Sequence, residues 1–113
     1  HFTHLYKDHS LLSLDGERCE GPLAIIARLE AHSKQRAGGD STLHTHHTIE
    51  KVDVQPCMGG LLTHVVGRLQ LKHNQQVTAD KAIVFNECFV LLPTQSGKVG
   101  EYYIANQMRT YQR

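Results

Sequence analysis

One stretch constrains this chain more than any other. From Ala82 to Leu92 the residues are apolar at both parities: Ile83, Phe85, Phe89 and Leu91 at odd positions, Val84, Cys88, Val90 and Leu92 at even ones. Side chains of a strand alternate between its two faces. A strand of this kind must therefore be covered on both sides. The whole chain has 113 residues, which suits one domain burying roughly 65% of its unfolded surface. Its own helices can cover only one face of a sheet. The face carrying Val84, Cys88, Val90 and Leu92 is left with apolar surface on the order of a few hundred Å², the size that marks an interaction site. A second polypeptide is expected to cover it by sheet packing.

The rest of the chain supplies the sheet. Phe2 to Tyr6 reads as the end of a helix. Leu11–Leu14 and Glu17–Glu20 read as short strands around the tight-turn pair Asp15-Gly16. Gly21-Pro22 opens a helix with proline at its first position. Leu23, Ile25, Ile26 and Leu29 mark the apolar face, which ends near His32. Ser33 to Ser41 reads as a polar loop. Leu43 to Gln55 is rich in Thr, His, Ile and Val and suits a strand. Its apolar parity switches between Ile49 and Val52, which predicts a bulge there. Pro56 is expected to end it, and Met58-Gly59-Gly60 to turn the chain. Leu61, Val65, Leu69 and Leu71 then share one strand face, with His64, Arg68 and Gln70 on the other. Lys72 to Asp80 is a polar connection, Thr94 to Gly100 a loop, and Glu101 to Tyr111 a last strand. Short connections imply antiparallel neighbours. The expected fold is α+β, a curved antiparallel sheet with helices packed on one face.

Composition excludes several classes. Apolar residues are 40% of the chain, and the net charge is +1, from 12 Lys plus Arg against 11 Asp plus Glu. A disordered chain is excluded, and nothing resembles a basic nucleic-acid surface. No apolar run reaches the length of a membrane-spanning helix. Cys19, Cys57 and Cys88 are odd in number and widely spaced, which argues for reduced cysteines in a cytosolic or nuclear protein.

Against this background several stretches resemble the nuclear transport factor 2 family. Leu12 to Leu29 is similar to its strand–turn–strand–helix opening: Leu14-Asp15-Gly16, then Gly21, then Ile25 and Leu29. His47-Thr48-Ile49 with Asp53-Val54-Gln55-Pro56 is similar to the stretch that opens the family's sheet. Val65-Val66-Gly67-Arg68-Leu69 resembles its next strand, and Phe85 to Leu91 its central dimer-forming strand. Met108-Arg109 falls where family members carry an aromatic–arginine pair. Together these cover most of the chain, which reads as a single domain over residues 1–113 lacking the family's N-terminal helix.

The resemblance implies a cone-shaped domain that dimerises through its sheet and recognises other proteins without catalysis or cofactor. The partner-interface residues are then Val84, Asn86, Cys88, Val90, Leu92 and Arg109. Arg109 matches the arginine that, in the small subunit of the mRNA export receptor, pairs with an acid of the larger subunit, and a guanidinium fork suits such a pair. Leu14 and Asp15 match the position where relatives contact the GTPase Ran or the phenylalanine-glycine repeats of nuclear pore proteins. The implied localisation is the nucleus, the nuclear envelope and the cytoplasm. The aromatic expected before Asp15 is Leu14 here, and the importer's acidic cluster aligns with Lys72, His73 and Asn74. That charge reversal favours an mRNA export subunit over a homodimeric Ran importer. A stress-granule type dimerisation domain is a third form. Whether the second polypeptide is a second copy or a larger subunit stays open.

Two kinds of chemistry bear on the remaining polar residues. Relatives include cone-pocket isomerases and dehydratases, which need an acid–base pair in the pocket. Glu87, sharing a strand face with Phe85 and Phe89, is the best buried carboxylate, with Asp53 and His64 as others. The competing reading is a structural pair with Arg68 or Arg109. Nine histidines are many for this length. His44 and His46 share a strand face opposite His47, and no third ligand beside them is recognisable, so no metal is expected.

Overall fold

The computed structural model describes residues 2–36, 38, 42–73, 76–77 and 82–112. A 3-10 turn, Phe2–Leu5, leads into β1, Tyr6–Leu14, and β2, Glu17–Glu20. The helix α1 spans Pro22–Arg36. Five strands follow: β3, Leu43–Cys57; β4, Gly60–His73; β5, Gln76–Val77; β6, Ile83–Pro93; and β7, Tyr102–Gln112. The sheet runs β2-β1-β7-β6-β4-β3, with β5 paired to the end of β4. This is the α+β, nuclear transport factor 2-like arrangement, a curved and unclosed sheet with helix on one face.

Local chemistry accounts for the elements. Asp15 and Gly16 turn the chain with φ of 48° and 88°, the left-handed pair that a two-residue hairpin requires. Gly21 also has φ of 88°. Its carbonyl accepts the Ile25 N–H at 3.0 Å, the first bond of α1, while Pro22 takes the first helical position. Register shifts between Ile49 and Lys51, so the bulge expected from the parity switch is present.

Several expectations are corrected. The opening residues form a 3-10 turn rather than a helix end, and β1 begins at Tyr6 instead of Leu11. The extra length includes a register irregularity between Tyr6 and Leu11, which hides the alternation. Pro56 does not end β3, which continues to Cys57. β3 is the edge strand, where a missing N–H costs no ladder bond. α1 extends past His32 to Arg36, so Ser33 to Arg36 are helical; the rest of that loop lies largely outside the described residues. The Lys72 to Asp80 connection contains the end of β4 and β5, and most of it also lies outside them. The sheet is not wholly antiparallel: β1 pairs with β7 in parallel. Hairpin logic covers only neighbours in sequence, and these strands meet from opposite ends of the chain. Bonds beside the ladder itself help fasten them. The Asp15 N–H donates to the Arg109 carbonyl at 3.1 Å, the Tyr111 N–H to Asp15 Oδ1 at 3.2 Å, and Ser10 Oγ to the Ile104 carbonyl at 2.5 Å.

Packing divides the sheet into two unlike faces. On the inner face Tyr6, Leu12 and Leu14 meet Ile25 of α1, with Ile26 and Leu29 beside them. A second buried group, Val65, Leu69 and Phe85, lies further across the sheet. One helix, among the described residues, covers this face, chiefly over β1 and β2. It does not reach the inner-face residues in the second half of β3: Val52 and Val54 are each 53% exposed.

Gly67 permits the second group to pack. A Cβ there would stand 2.7 Å from Phe85 Cζ and 2.5 Å from the Thr48 carbonyl oxygen. Both neighbours are fixed, one in the core and one in the backbone. Gly67→Ala is expected to destabilise the domain by about 1–3 kcal/mol, the usual cost of overpacking, read as a lower urea midpoint at unchanged slope.

Candidate functional site

Strand register decides what the outer face carries. Residues directly opposite in an antiparallel pair share a face. Val90 lies between Leu62 of β4 and Asn106 of β7, Cys88 between His64 and Met108, and Asn86 between Val66 and Thr110. Val84 lies opposite Arg68 and Gln112. Val84, Asn86, Cys88 and Val90, with Leu92 at the strand's end, thus form the middle of a belt facing away from α1. All five are half-buried. Leu62 and Met108 extend the belt and remain 38% and 57% exposed. Parity in the sequence places His64 and Arg68 on this face of β4, and Leu62 and Val66 join them because they share that parity.

Arg109 stands on the other face. Its register partners Glu87 and Leu14 belong to the inner side, and its Nε donates to Glu87 Oε2. Gln107 Nε2 donates to the same oxygen at 2.7 Å. The Tyr6 hydroxyl donates to Gln107 Oε1 at 2.8 Å, and Arg109 Nη1 to the Tyr111 hydroxyl at 3.2 Å. The guanidinium carbon sits 5.7 Å from the centre of the Phe85 ring. Arg109 therefore finds its acid within its own chain, one of the two intrachain pairings weighed for Glu87. Burial alone would lower the Arg109 pKa. The hydrogen bond and charge of Glu87 outweigh it and hold the guanidinium above its usual value. Burial, with the Glu87 charge behind it, raises the Tyr6 pKa and keeps that hydroxyl a donor. The sequence carries no local sign of Tyr6 and Gln107 in this network, because the irregularity between Tyr6 and Leu11 breaks the alternation that would extend β1 to Tyr6.

The enzyme reading required Glu87 to be buried, and it is, at 5% exposed. One of its carboxylate oxygens takes both Arg109 and Gln107. The adjoining cavity, lined by Leu29, His32, Thr45, His47, Arg109 and Tyr111 among others, measures about 30 Å³, room for one or two waters. The other candidates do not join Glu87. Asp53 and His64 face each other across β3 and β4, in the row of Cys88 on the outer face.

The remaining candidates separate by burial. Leu14 is 0% exposed, so its side chain cannot touch a GTPase or a pore repeat. Asp15 is exposed at the turn. His44, His46 and His47 are all exposed on β3, the first two on its outer side opposite Lys72 and Gln70 and His47 on its inner side opposite Leu69. Among the described residues no three His, Cys, Asp or Glu side chains converge as a metal site would need.

The Glu87–Arg109 pair is 6% and 17% exposed at its side chains. Removing one member strands a buried charge, at a cost of about 3–5 kcal/mol, whereas replacing both with apolar residues is often near neutral. Arg109→Met is expected to lower stability by about that amount. The double variant Glu87→Leu with Arg109→Met is expected to recover most of it in equilibrium urea unfolding.

Comparison with known proteins agrees with this geometry. The chain matches the Nuclear transport factor 2 (NTF2) domain over residues 1–111. It is 30% identical to Nuclear transport factor 2B of Arabidopsis thaliana over 106 residues, which is 92% of this chain and 71% of that protein. The solved structure of nuclear transport factor 2 from Cryptosporidium parvum superposes with a TM-score of 0.72 at 19% identity, covering 98% of this chain and 77% of that one. The structure of Mtr2 superposes with a TM-score of 0.70 at 16% identity, covering 91% and 76%. The two structural likenesses speak to the fold, which also occurs in enzymes. Sequence match and fold together show that the chain belongs to the nuclear transport factor 2 domain family.

Proposed function

We propose that this chain is a non-catalytic dimerisation and adaptor domain in nucleocytoplasmic transport, most specifically the small subunit of an mRNA export receptor. One observation carries the reading: the belt of Val84, Cys88, Val90 and Leu92, widened by Leu62, Val66 and Met108, forms a contiguous half-exposed apolar face across three strands. A sheet face of this kind suits packing against the sheet of a second polypeptide. Asn86 and His64 lie among the apolar residues and supply directional hydrogen bonds that fix register. The proposed interface is Val84, Asn86, Cys88, Val90 and Leu92. Arg109 supports it from behind by holding β6 to β7 through Glu87. Work as an adaptor between nucleus and cytoplasm, including the nuclear envelope, follows from the same reading.

Two observations favour the export form. Lys72 and His73 end β4 where the resemblance calls for an importer's acidic cluster. Leu14 is buried where that resemblance calls for an exposed aromatic. The second reading, a homodimeric Ran importer, is favoured by the names of curated relatives in Arabidopsis thaliana and rice. The engagement of Glu87 by Arg109 and Gln107 supports a structural role for that carboxylate over an isomerase or dehydratase site.

Affinity purification from native extract with native mass measurement tests the proposal. The export reading expects one larger protein in stoichiometric amount, and recovery of a self-dimer that binds Ran-GDP at micromolar concentration would replace it with the importer reading. Val90→Asp places a charge at the centre of the belt. It is expected to weaken partner binding by at least about thirtyfold, the scale of an interface hot spot, while the isolated domain stays folded by circular dichroism. Unchanged binding would remove the outer face from the account.

A further inference from the structure

The two margins of the sheet are unlike. β2, at one end of the strand path, has 4 residues. β3, at the other end, has 15, and among the described residues no strand pairs with its free side. Every second residue of such a strand turns its backbone N–H and C=O away from the ladder, and an edge of this length is a template for a further strand. Bulges and prolines blunt edges of this kind, and β3 has a bulge between Ile49 and Lys51 and, further on, Pro56. Between them residues 51–55 pair in regular register with residues 62–66 of β4, all of them described. Val52 and Val54 stay exposed on the inner side of this stretch, and Lys51, Asp53 and Gln55 on its outer side. Among the described residues neither Lys51 nor Asp53 is in an ion pair, whereas Glu50 next to them is held by Arg68. Directly across the ladder Lys51 meets Val66 and Asp53 meets His64, so β4 sets no permanent charge opposite either.

We propose that this margin pairs with the same margin of a second copy of the chain, antiparallel about a two-fold axis through Val52, so that Lys51 of each copy meets Asp53 of the other. Charge selects the register. For the two sheets to continue as one, inner side must meet inner side, so the axis passes through a residue and not between two. An axis through Lys51 sets that lysine against itself, and an axis through Asp53 sets two carboxylates together; like charges directly opposite are destabilising. An axis through Val54 sets Asp53 against Gln55 and Val52 against Pro56, with no opposite-charge pair. The axis through Val52 forms two Lys51–Asp53 pairs on the outer side and brings the two exposed Val52 side chains together on the inner side. A contact of this kind is isologous and closes on itself. It uses none of the belt residues of β6, so it is independent of which protein covers the outer face.

Sedimentation equilibrium of the chain up to about 1 mM, the range of weak contacts, is expected to show a doubling of mass. Lys51→Asp alone and Asp53→Lys alone each set like charges opposite one another. Each is expected to weaken the doubling by at least about tenfold. Mixing the two single variants puts opposite charges back in register across the two chains, and so does the double variant Lys51→Asp with Asp53→Lys. Both are expected to restore the doubling, which a loss of folding in either single variant would not allow. A native chain that does not double would overturn the proposal, as would a doubling that ignores the single variants or a mixture that fails to restore it. Doubling abolished by Val90→Asp and indifferent to the charge variants would assign self-association to the outer face and would equally overturn it.

Discussion

The strand β6 lies in the middle of a six-strand path and is apolar on both sides, yet the described chain provides one helix to cover them. This constraint shapes the rest. α1 and the β1–β2 hairpin occupy the inner side, where Phe85 is fully enclosed and Gly67 leaves room for its ring. The outer side holds Val84, Cys88 and Val90 at partial burial, each flanked across the ladder by a residue of β4 and one of β7. The hydrophobic effect acts on that face as it does on the inner one, and the proposed function satisfies it by association with another surface. The dimerising role proposed here restates that imbalance between strand and helix in functional terms.

The inner face carries a buried charge pair that a purely apolar core would not need. Glu87 and Arg109 are expensive to desolvate, and their register partners tie β6, β7 and β1 into one layer. Gln107 and Tyr6 complete the hydrogen bonding, so little of the pair's polar capacity is left unmet. The arrangement fixes the face on which each residue of β7 falls, and with it the outward placement of Met108. In this way a polar network on one side of the sheet organises an apolar surface on the other.

Much of this was legible in the sequence where the evidence is periodic. The two-faced apolar run of β6, the Asp15-Gly16 turn, the Gly21-Pro22 helix start and the parity switch after Ile49 each translate directly into geometry. Glu87 was readable as buried because Phe85 and Phe89 share its parity. What was not legible depends on contacts between distant parts of the chain. The parallel pairing of β1 with β7 joins opposite ends of the sequence and leaves no local trace. The first half of β1 is not legible because its irregularity breaks alternation before Leu11. The resemblance points Arg109 to a partner's acid, whereas strand parity places it inward beside Glu87. Leu14 looked like a contact residue by position, and only packing against the helix shows it to be enclosed.

The chain contains two methionines, and they offer a direct test of whether the outer face is a protein interface. Met108 lies on that face at 57% exposed, while Met58 sits in the β3–β4 turn at 94% exposed. Mild peroxide oxidation, followed by peptide mass spectrometry, compares the two in the isolated chain and in the assembly recovered from native extract. The account predicts that Met108 is oxidised in the isolated chain and protected in the assembly, with Met58 oxidised in both. Oxidation of Met108 at the same rate in the assembly as in the isolated chain would contradict it.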